Sequence, residues 1–326
     1  MKLKVSAAVL AALTLATVPI AVVDATDSTG AGGPRSSLTL IVPGSAGGGY
    51  DALARESQQA LRANGISGNV QVVNVPGASG TVGMQTLTEM AGQDDTLLVL
   101  GSAMVGGIEI TQSSLSFDDV TPITSSTTDY SVIVLPDDSP YETTEEFIEA
   151  WKQDPEGHPI AGGALGNSDH IAVISLARAV GIDPADVNYI AYSGGGEVLA
   201  SLLSGTAAAG VSGFGEMSDQ IDAQTVRGIG VTAPERVNGI DMPTFNEQGI
   251  DVVVPNWRGF VAPPGISAEQ QDEIGEILSE MMGTEEWNQA VERNQWEEFI
   301  MTGTELDDFI DAEVSNTKSL LEEAGE

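Results

Sequence analysis

Short apolar runs alternate along this chain with longer stretches that have helical periodicity. Runs of four to six apolar residues are typical of buried parallel strands, and amphipathic stretches of ten or more residues are typical of helices. In the first part of the chain the pattern predicts strands at 38–42, 70–73, 97–100 and 131–135, and helices at 51–64, 81–90 and 144–152. Asp51 is the expected N-cap of the first helix, and the stretch 111–128 is predicted to be irregular.

A second series of the same kind follows. It predicts strands near 160 and at 187–190, 207–211, 228–231 and 257–262, helices at 169–180 and 197–203, and amphipathic helices across 267–325. The segments GSAMVGG (101–107) and SGFGE (212–216) follow predicted strands and are interpreted as loops.

This alternation predicts an α/β protein with parallel sheets and helices on both faces. Two such series indicate a bilobed fold with two doubly wound sheets and a ligand cleft at the hinge between them. We expect one domain at 37–130 plus 256–326 and the other at 131–255, with crossovers near 130 and 255.

The N-terminus has the features of a targeting segment. Lys2 and Lys4 precede an apolar run over 5–23, and small residues surround Ala25, so residues 1–25 are predicted to be a signal peptide. The alternative is a transmembrane anchor, since the run is near spanning length. Residues 26–36 are interpreted as a flexible lead-in. The chain has no cysteine, which excludes disulfides, thiolate sites and a lipidated N-terminal cysteine.

The chain is strongly acidic, with 48 Asp and Glu against 12 Lys and Arg and a net charge of -36. Such a surface repels nucleic acid and anionic lipid. At about 1 M salt the Debye length falls to roughly 3 Å, so a salt-adapted protein of this charge can still bind an anion. The alternative is an acidic surface that serves solubility alone.

Glycine-rich segments lie where strands lead into helices. Without a Cβ, the backbone can turn sharply and present free N–H groups at the positive end of a helix, which makes an anion site that needs no Lys or Arg. The loops at 44–51, 76–80 and 166–169 have this form, and in doubly wound sheets such loops lie where ligands bind. The alternative is that they are tight connections.

Catalytic and cofactor motifs are weak. The glycines at 47–52 match a dinucleotide fingerprint loosely, but the acidic residue that should follow is missing, so no cofactor is expected. No G-x-S-x-G elbow is present, and two distant histidines cannot build a zinc site. His158 is assigned to a turn, while His170 lines the cleft or packs. Trp257 is assigned to the core, with a cleft wall as the alternative, and Phe214 is a candidate apolar wall.

The ordered set of segments resembles the extracytoplasmic solute receptors of tripartite tricarboxylate transporters, the TctC or Bug-type family. The matching segments include GGGYDALAR (47–55), VVNVPGASGTVG (72–83), GALGNSDH (163–170), VRGIGVTAPER (226–236) and NWRGFVAPPGIS (256–267). The resemblance implies a type II periplasmic-binding-protein fold, a small organic acid as ligand, membrane permease subunits as partners, and no enzymatic activity. An exported sensor for a kinase, or a hydrolase on a bilobed scaffold, is the alternative.

The resemblance also implies which residues contact the ligand, mainly on the two loops that precede the first helix of each series. Tyr50 is a departure, because a small hydroxyl residue is common at this position in the family. With Ser102 and Phe214 at strand ends, the predicted ligand-binding set is Gly48, Gly49, Tyr50, Asp51, Ala78, Ser79, Ser102, Gly166, Asn167, Ser168, His170, Ser193, Gly194 and Phe214. The mature protein is expected to be soluble, periplasmic or otherwise extracytoplasmic, and monomeric.

Overall fold

The computed structural model describes residues 33–237 and 239–326. Its helices are α1 Gly33–Ser36, α2 Gly49–Ala63, α3 Thr81–Thr88, α4 Ser102–Ile110, α5 Thr144–Gln153, α6 Ser168–Val180, α7 Gly195–Leu203, α8 Phe214–Asp222, α9 Ala268–Met282, α10 Glu285–Arg293 and α11 Gly303–Ala324. Its strands are β1 Ser37–Val42, β2 Asn69–Asn74, β3 Thr96–Gly101, β4 Thr121–Pro136, β5 Ile160–Gly162, β6 Tyr189–Ala191, β7 Ala209–Gly213, β8 Val226–Val231, β9 Pro255–Ala262 and β10 Glu297–Glu298.

The N-terminal predictions fall largely outside these ranges. The predicted signal peptide at 1–25 and most of the lead-in lie outside the described residues. The end of the lead-in, 33–36, forms α1, and the Gly68 N–H donates to the carbonyl of Arg35 at 2.8 Å. Among the described residues, no helix is long and apolar enough to cross a membrane.

Ten strands form one hydrogen-bonded network in the order β2-β1-β3-β9-β4-β7-β5-β6, and β8 and β10 also pair with β4. The outer pairs are parallel, as predicted: β1 with β2 and β3, and β5 with β6 and β7. The prediction of wholly parallel sheets is wrong for β4 and β9, which are antiparallel to their neighbours. Strand β4 carries the chain toward β7 and β8, and β9 begins where the chain returns, so β4 and β9 run antiparallel.

The long strand β4 changes partners at its middle. Residues 121–130 pair with β9, and residues 131–136 pair with β7 and β8. We call the elements around β1–β3, β9 and β10 the first lobe and those around β5–β8 the second lobe. The finer domain boundaries given above stay a prediction.

The first half of β4 was predicted to be irregular, and that prediction is wrong. Its sequence, TPITSSTTDY, is rich in Ser and Thr, so it lacks an apolar pattern. Ser125, Ser126 and Thr127 are nevertheless fully buried at the centre of the network. The Ser126 hydroxyl donates to the Arg258 carbonyl at 3.0 Å, and the Ser125 hydroxyl accepts from the Met301 N–H at 2.8 Å. The two serine hydroxyls are therefore satisfied by hydrogen bonds, which permits their burial, whereas the Thr127 hydroxyl has no hydrogen-bond partner among the described residues.

Two segments interpreted as loops are helices, α4 and α8, each beginning directly at the end of a strand. In α4, the adjacent Gly106 and Gly107 allow backbone to approach from two directions. A Cβ on Gly106 would lie 1.8 Å from the carbonyl oxygen of Gly166, and one on Gly107 would lie 2.5 Å from the Cβ of Ser79. These glycines allow close packing of backbone rather than a turn. Glycine is common in both settings, so the composition alone was interpreted as a loop.

Separate apolar clusters fill the two lobes. Trp257 is 1% exposed and packs edge-on against Phe309 at a ring distance of 5.2 Å, which confirms its assignment to the core. Helix α11 contributes Leu306 to a first-lobe cluster and Leu320 to a second-lobe cluster, so it packs against both lobes.

Candidate functional site

The first-lobe loop between β1 and α2 is fixed by hydrogen bonds to the buried carboxylate of Asp51. Helix α2 begins at Gly49 with Gly48 as N-cap, so the prediction of Asp51 as the cap is wrong. Asp51 is 3% exposed and accepts from the Gly47 N–H at 2.9 Å, from Arg55 Nε at 2.7 Å and from Asn74 Nδ2 at 3.0 Å. The hydrogen bond from Arg55 lowers the Asp51 pKa to about 2. Asp51 therefore positions the loop as an ionised carboxylate.

The second-lobe loop before α6 has the same design. Asn167 is the N-cap, and its Oδ1 accepts from the His170 N–H at 3.0 Å. Asp169 is 8% exposed and accepts from Ser131 Oγ at 2.8 Å and from the Gly163 N–H at 3.2 Å. In each lobe, an aspartate in the first helical turn thus folds back onto a glycine N–H at the start of the loop.

The two aspartates differ in their charge environment. Asp51 has Arg55 as its cation, whereas Asp169 pairs with no Lys or Arg among the described residues. Burial, together with the nearby charge of Glu216, raises the Asp169 pKa to about 6. The second lobe therefore holds its loop with a carboxylate that has no compensating positive charge.

His170 packs behind the second-lobe loop. It is 3% exposed, its Nδ1 accepts from the Gly166 N–H at 3.1 Å, and its ring lies 4.5 Å from that of Tyr189. Burial lowers the His170 pKa to about 4, so the imidazole is neutral near pH 7. Of the two alternatives that the sequence left open, packing is the one observed.

A cavity of about 460 Å³ lies between the lobes, and the two loops face it. Six residues of the predicted set line its wall: Gly48, Gly49, Tyr50, Asn167, Ser168 and Phe214. The wall also includes polar residues that the sequence reasoning missed, namely Asp129, Ser212, Glu216, Asn256, Arg258 and Arg293.

The other eight predicted residues do not line this cavity. They are Asp51, Ala78, Ser79, Ser102, Gly166, His170, Ser193 and Gly194. Several support its wall from behind: Ser102 Oγ donates to Oδ1 of Asn256 at 2.9 Å, and Gly166 packs on Gly106. The Ser193 N–H instead donates to Glu197 at 2.7 Å, beside the cavity rather than in it.

Tyr50 bridges two parts of the first lobe. Its hydroxyl oxygen accepts from the Met104 N–H at 3.1 Å, in the first turn of α4. Its ring closely approaches Gly101, where a Cβ would lie 3.2 Å from the ring carbon Cε1. Burial raises the Tyr50 pKa to about 12, so the phenol stays protonated. Tyr50 thus takes up cavity space and keeps its own O–H as a donor.

Arg258 is the main feature that the sequence reasoning missed. It is 6% exposed, and its Nη1 lies 2.8 Å from Oδ2 of Asp129. The two side chains form a largely buried ion pair, although Nη1 makes no hydrogen bond of good geometry to a described residue. A Cβ on Gly49 would lie 2.9 Å from Nη2, so the guanidinium sits against the start of α2. The expectation that this anion site needs no Arg is therefore incomplete.

Arg258 belongs to the matching segment NWRGFVA, but the sequence did not show that it faces the cavity. It follows the buried Trp257 on β9, and alternate residues of a strand point to opposite faces. The register of β9 against β4, which pairs Arg258 with Thr127, is a long-range feature that local patterns do not show. Glu216 was missed because its segment was interpreted as a loop, whereas it lies on helix α8.

Comparison with known proteins places the chain in one family. The sequence model described as "Tripartite tricarboxylate transporter family receptor" matches residues 53–326. BugT of Bordetella pertussis (strain Tohama I) is 25% identical over 238 residues, which cover 71% of this chain and 72% of BugT.

Solved structures share the fold. A Rhodopseudomonas palustris protein solved with adipate has a TM-score of 0.75 at 19% identity, with 90% of this chain and 98% of that chain covered. MatC from the same organism, solved with bound malate, has a TM-score of 0.71 at 19% identity, with 88% and 99% covered. The chain belongs to the tripartite tricarboxylate transporter receptor family, whose two-lobed members are substrate-binding receptors and not enzymes.

Proposed function

We propose that this protein captures a small organic carboxylate between its lobes and delivers it to the membrane subunits of a tripartite transporter. The observation that carries the proposal is the cavity wall itself. Two helix starts, at Gly49 and Ser168, face the cavity together with the buried guanidinium of Arg258. Helix N-termini and guanidinium groups both favour carboxylates.

The size of the cavity supports a small cargo. Its volume of about 460 Å³ lies within the usual range for small-molecule sites. Tyr50 narrows the first-lobe side, where its ring packs near Gly101. Two proteins with this fold were solved with malate and adipate, which are dicarboxylates of four and six carbons. We therefore expect the cargo of this protein to have a similar size.

Capture couples to closure of the two lobes. Strand β4 runs from the first lobe into the second, and the chain returns to the first lobe at the start of β9, so bending at these crossings, near 130 and 255, would move the helix starts together. A cargo that contacts both walls binds the closed state better than the open state, and so shifts the population toward it. The transporter then distinguishes the loaded receptor by its closed shape.

We further propose that the protein is exported, with residues 1–25 removed, and works as a soluble monomer in a salt-rich extracytoplasmic space. The basic start and apolar run of the N-terminus support export. The net charge of -36 supports high salt, because screening there removes the long-range repulsion between an acidic receptor and an anion.

A backbone substitution tests the second-lobe helix start. Ser168 is the first residue of α6, and Asn167 before it has φ -74° and ψ 175°, which suits a residue that precedes proline. Ser168→Pro should keep the fold, remove one N–H donor and weaken binding of organic acids by at least about tenfold in calorimetric titration.

The matched control is Ala268→Pro. Ala268 is likewise the first residue of a helix, α9, after Ser267 with φ -77° and ψ 160°, and it lies outside the cavity. It should leave affinity unchanged. Equal affinity of wild type and Ser168→Pro would remove this helix start from the site, and the absence of any organic-acid binding would refute the proposed function.

A further inference from the structure

The two walls of the cavity differ in their charges, because the first-lobe wall carries an Arg258–Asp129 ion pair and the second-lobe wall carries two carboxylates. On the first-lobe wall, Arg258 lies against the start of α2, and Arg55 compensates Asp51 behind it. On the second-lobe wall are the carboxylates of Asp169 and Glu216, and no Lys or Arg of the described residues pairs with either. A cleft that bound a dicarboxylate symmetrically would not need this polarity.

The first-lobe wall is built for one anion. The Arg258 guanidinium lines the cavity and is largely buried, and it pairs with Asp129, with Nη1 2.8 Å from Oδ2. The Asp129 carboxylate also accepts from Asn256 Nδ2 at 2.7 Å, so part of its capacity is engaged elsewhere. A cargo carboxylate at this wall would lie beside the guanidinium and the positive end of α2, and both groups favour an anion.

The second-lobe wall has the opposite chemistry. Glu216 Oε2 accepts from the Gly195 N–H and from Ser212 Oγ, both at 2.9 Å, which fixes the carboxylate in place. Its Oε1 accepts no hydrogen bond from any described residue, and the side chain is exposed to the cavity. Asp169 beside it already occupies the α6 start, so the helix dipole there is partly neutralised.

We infer that the cargo is zwitterionic, with a carboxylate bound by Arg258 and the helix starts at Gly49 and Ser168, and an ammonium group bound by Glu216. The inference rests on the proposed function and specifies its substrate class. A second carboxylate at the Glu216 wall would lie near two like charges, whereas an ammonium group would have Oε1 as an acceptor.

Matched pairs of acids test this directly by calorimetric titration at low and high salt. Glutarate is compared with 4-aminobutanoate, and adipate with 5-aminopentanoate, because in each pair an ammonium group replaces one carboxylate. We expect the amino acid to bind at least about tenfold more tightly than its diacid in one pair or both. Higher salt should reduce this preference only partly, since charges in a closed cleft are weakly screened.

Two variants assign the two ends. Glu216→Gln keeps an oxygen acceptor for Gly195 and Ser212, so the fold should be retained, and the preference for the amino acid should fall to about onefold. Glu197→Gln is its control: Glu197, on the adjacent helix α7, also accepts from a backbone N–H, that of Ser193, but lies outside the cavity. Arg258→Gln should weaken both members of a pair about equally, and the surface variant Arg178→Gln should weaken neither.

The outcomes separate the inference from the proposed function. Diacids that bind as tightly as the amino acids, or a preference that survives Glu216→Gln, would overturn the inference and leave a carboxylate receptor. If neither series binds, the proposed function itself fails.

Discussion

The close contact between Gly106 and Gly166 offers a specific test of how the lobes meet. Gly106 lies on α4 of the first lobe, and Gly166 lies on the second-lobe loop, with φ +79°. A Cβ on Gly106 would lie 1.8 Å from the Gly166 carbonyl oxygen and 2.5 Å from its carbonyl carbon. Gly106→Ala therefore cannot be accommodated unless the lobes separate locally.

The size of the effect follows from this overlap. The Cβ would be about 1.2 Å inside the 3.0 Å distance that real Cβ atoms keep, and its neighbour is backbone that cannot rotate away. Overpacking of this kind costs about 1–3 kcal/mol. If the closed, cargo-bound state carries that cost and the open state does not, affinity falls by about 5- to 150-fold.

Calorimetric titration gives the affinity, and small-angle scattering with and without cargo gives the closure. Gly107→Ala is the matched control, because its Cβ would clash with Ser79 of the same lobe, at 2.5 Å. That variant should lower the melting temperature without a comparable loss of affinity. If Gly106→Ala keeps wild-type affinity and the wild-type change in scattering, or if both variants lose affinity in proportion to their stability, the contact does not control closure.

Three further predictions concern ionisation and stability. The Asp169 pKa is raised to about 6, so its ionisation destabilises the folded state as the pH rises from about 4 to 6, by about 3 kcal/mol. Urea unfolding should show that Asp169→Asn flattens this part of the pH profile, and an unchanged slope would contradict the assignment. The His170 pKa is lowered to about 4, so its imidazole should show no titration by nuclear magnetic resonance above about pH 5, and a midpoint near 6.5 would mean that the ring is solvated. The Asp51 pKa is lowered to about 2, so the contribution of its carboxylate to the free energy of unfolding is present above about pH 4 and lost as the pH falls toward 2. Asp51→Asn should destabilise the protein by about 1–2 kcal/mol at neutral pH and by less at pH 2. An equal loss of stability at both pH values would exclude a charge effect.

The sequence was sufficient to locate the two loops that face the cavity. An apolar run followed by glycines and an amphipathic stretch predicts a strand, a loop and a helix. This local signal placed the two helix starts within two residues of the observed ones, at Gly49 and Ser168. The chemistry of these loops is also local, since each is organised by an aspartate within one helical turn.

The rest of the wall depends on contacts that are distant in sequence. Arg258 reaches the cavity through the pairing of β9 with β4, and half of β4 is a buried strand of polar residues whose hydrogen bonds no apolar pattern can reveal. Glycines in α4 were interpreted as a loop because composition cannot distinguish a turn from a close approach of two backbones. Gly166 and His170 were predicted at the site but lie behind its wall.

The most direct test of the central claim is the melting temperature of the unmodified protein, in high salt, with and without a panel of small organic acids, amino acids, sugars and metal cations. A ligand that binds only the folded state adds free energy of unfolding, about 2.7 kcal/mol at one hundred times its Kd. The melting temperature therefore rises with the logarithm of the ligand concentration. The account predicts that at least one carboxylate-bearing compound produces such a rise and that sugars and cations do not. A rise with a sugar or a cation, and with no carboxylate, would contradict it.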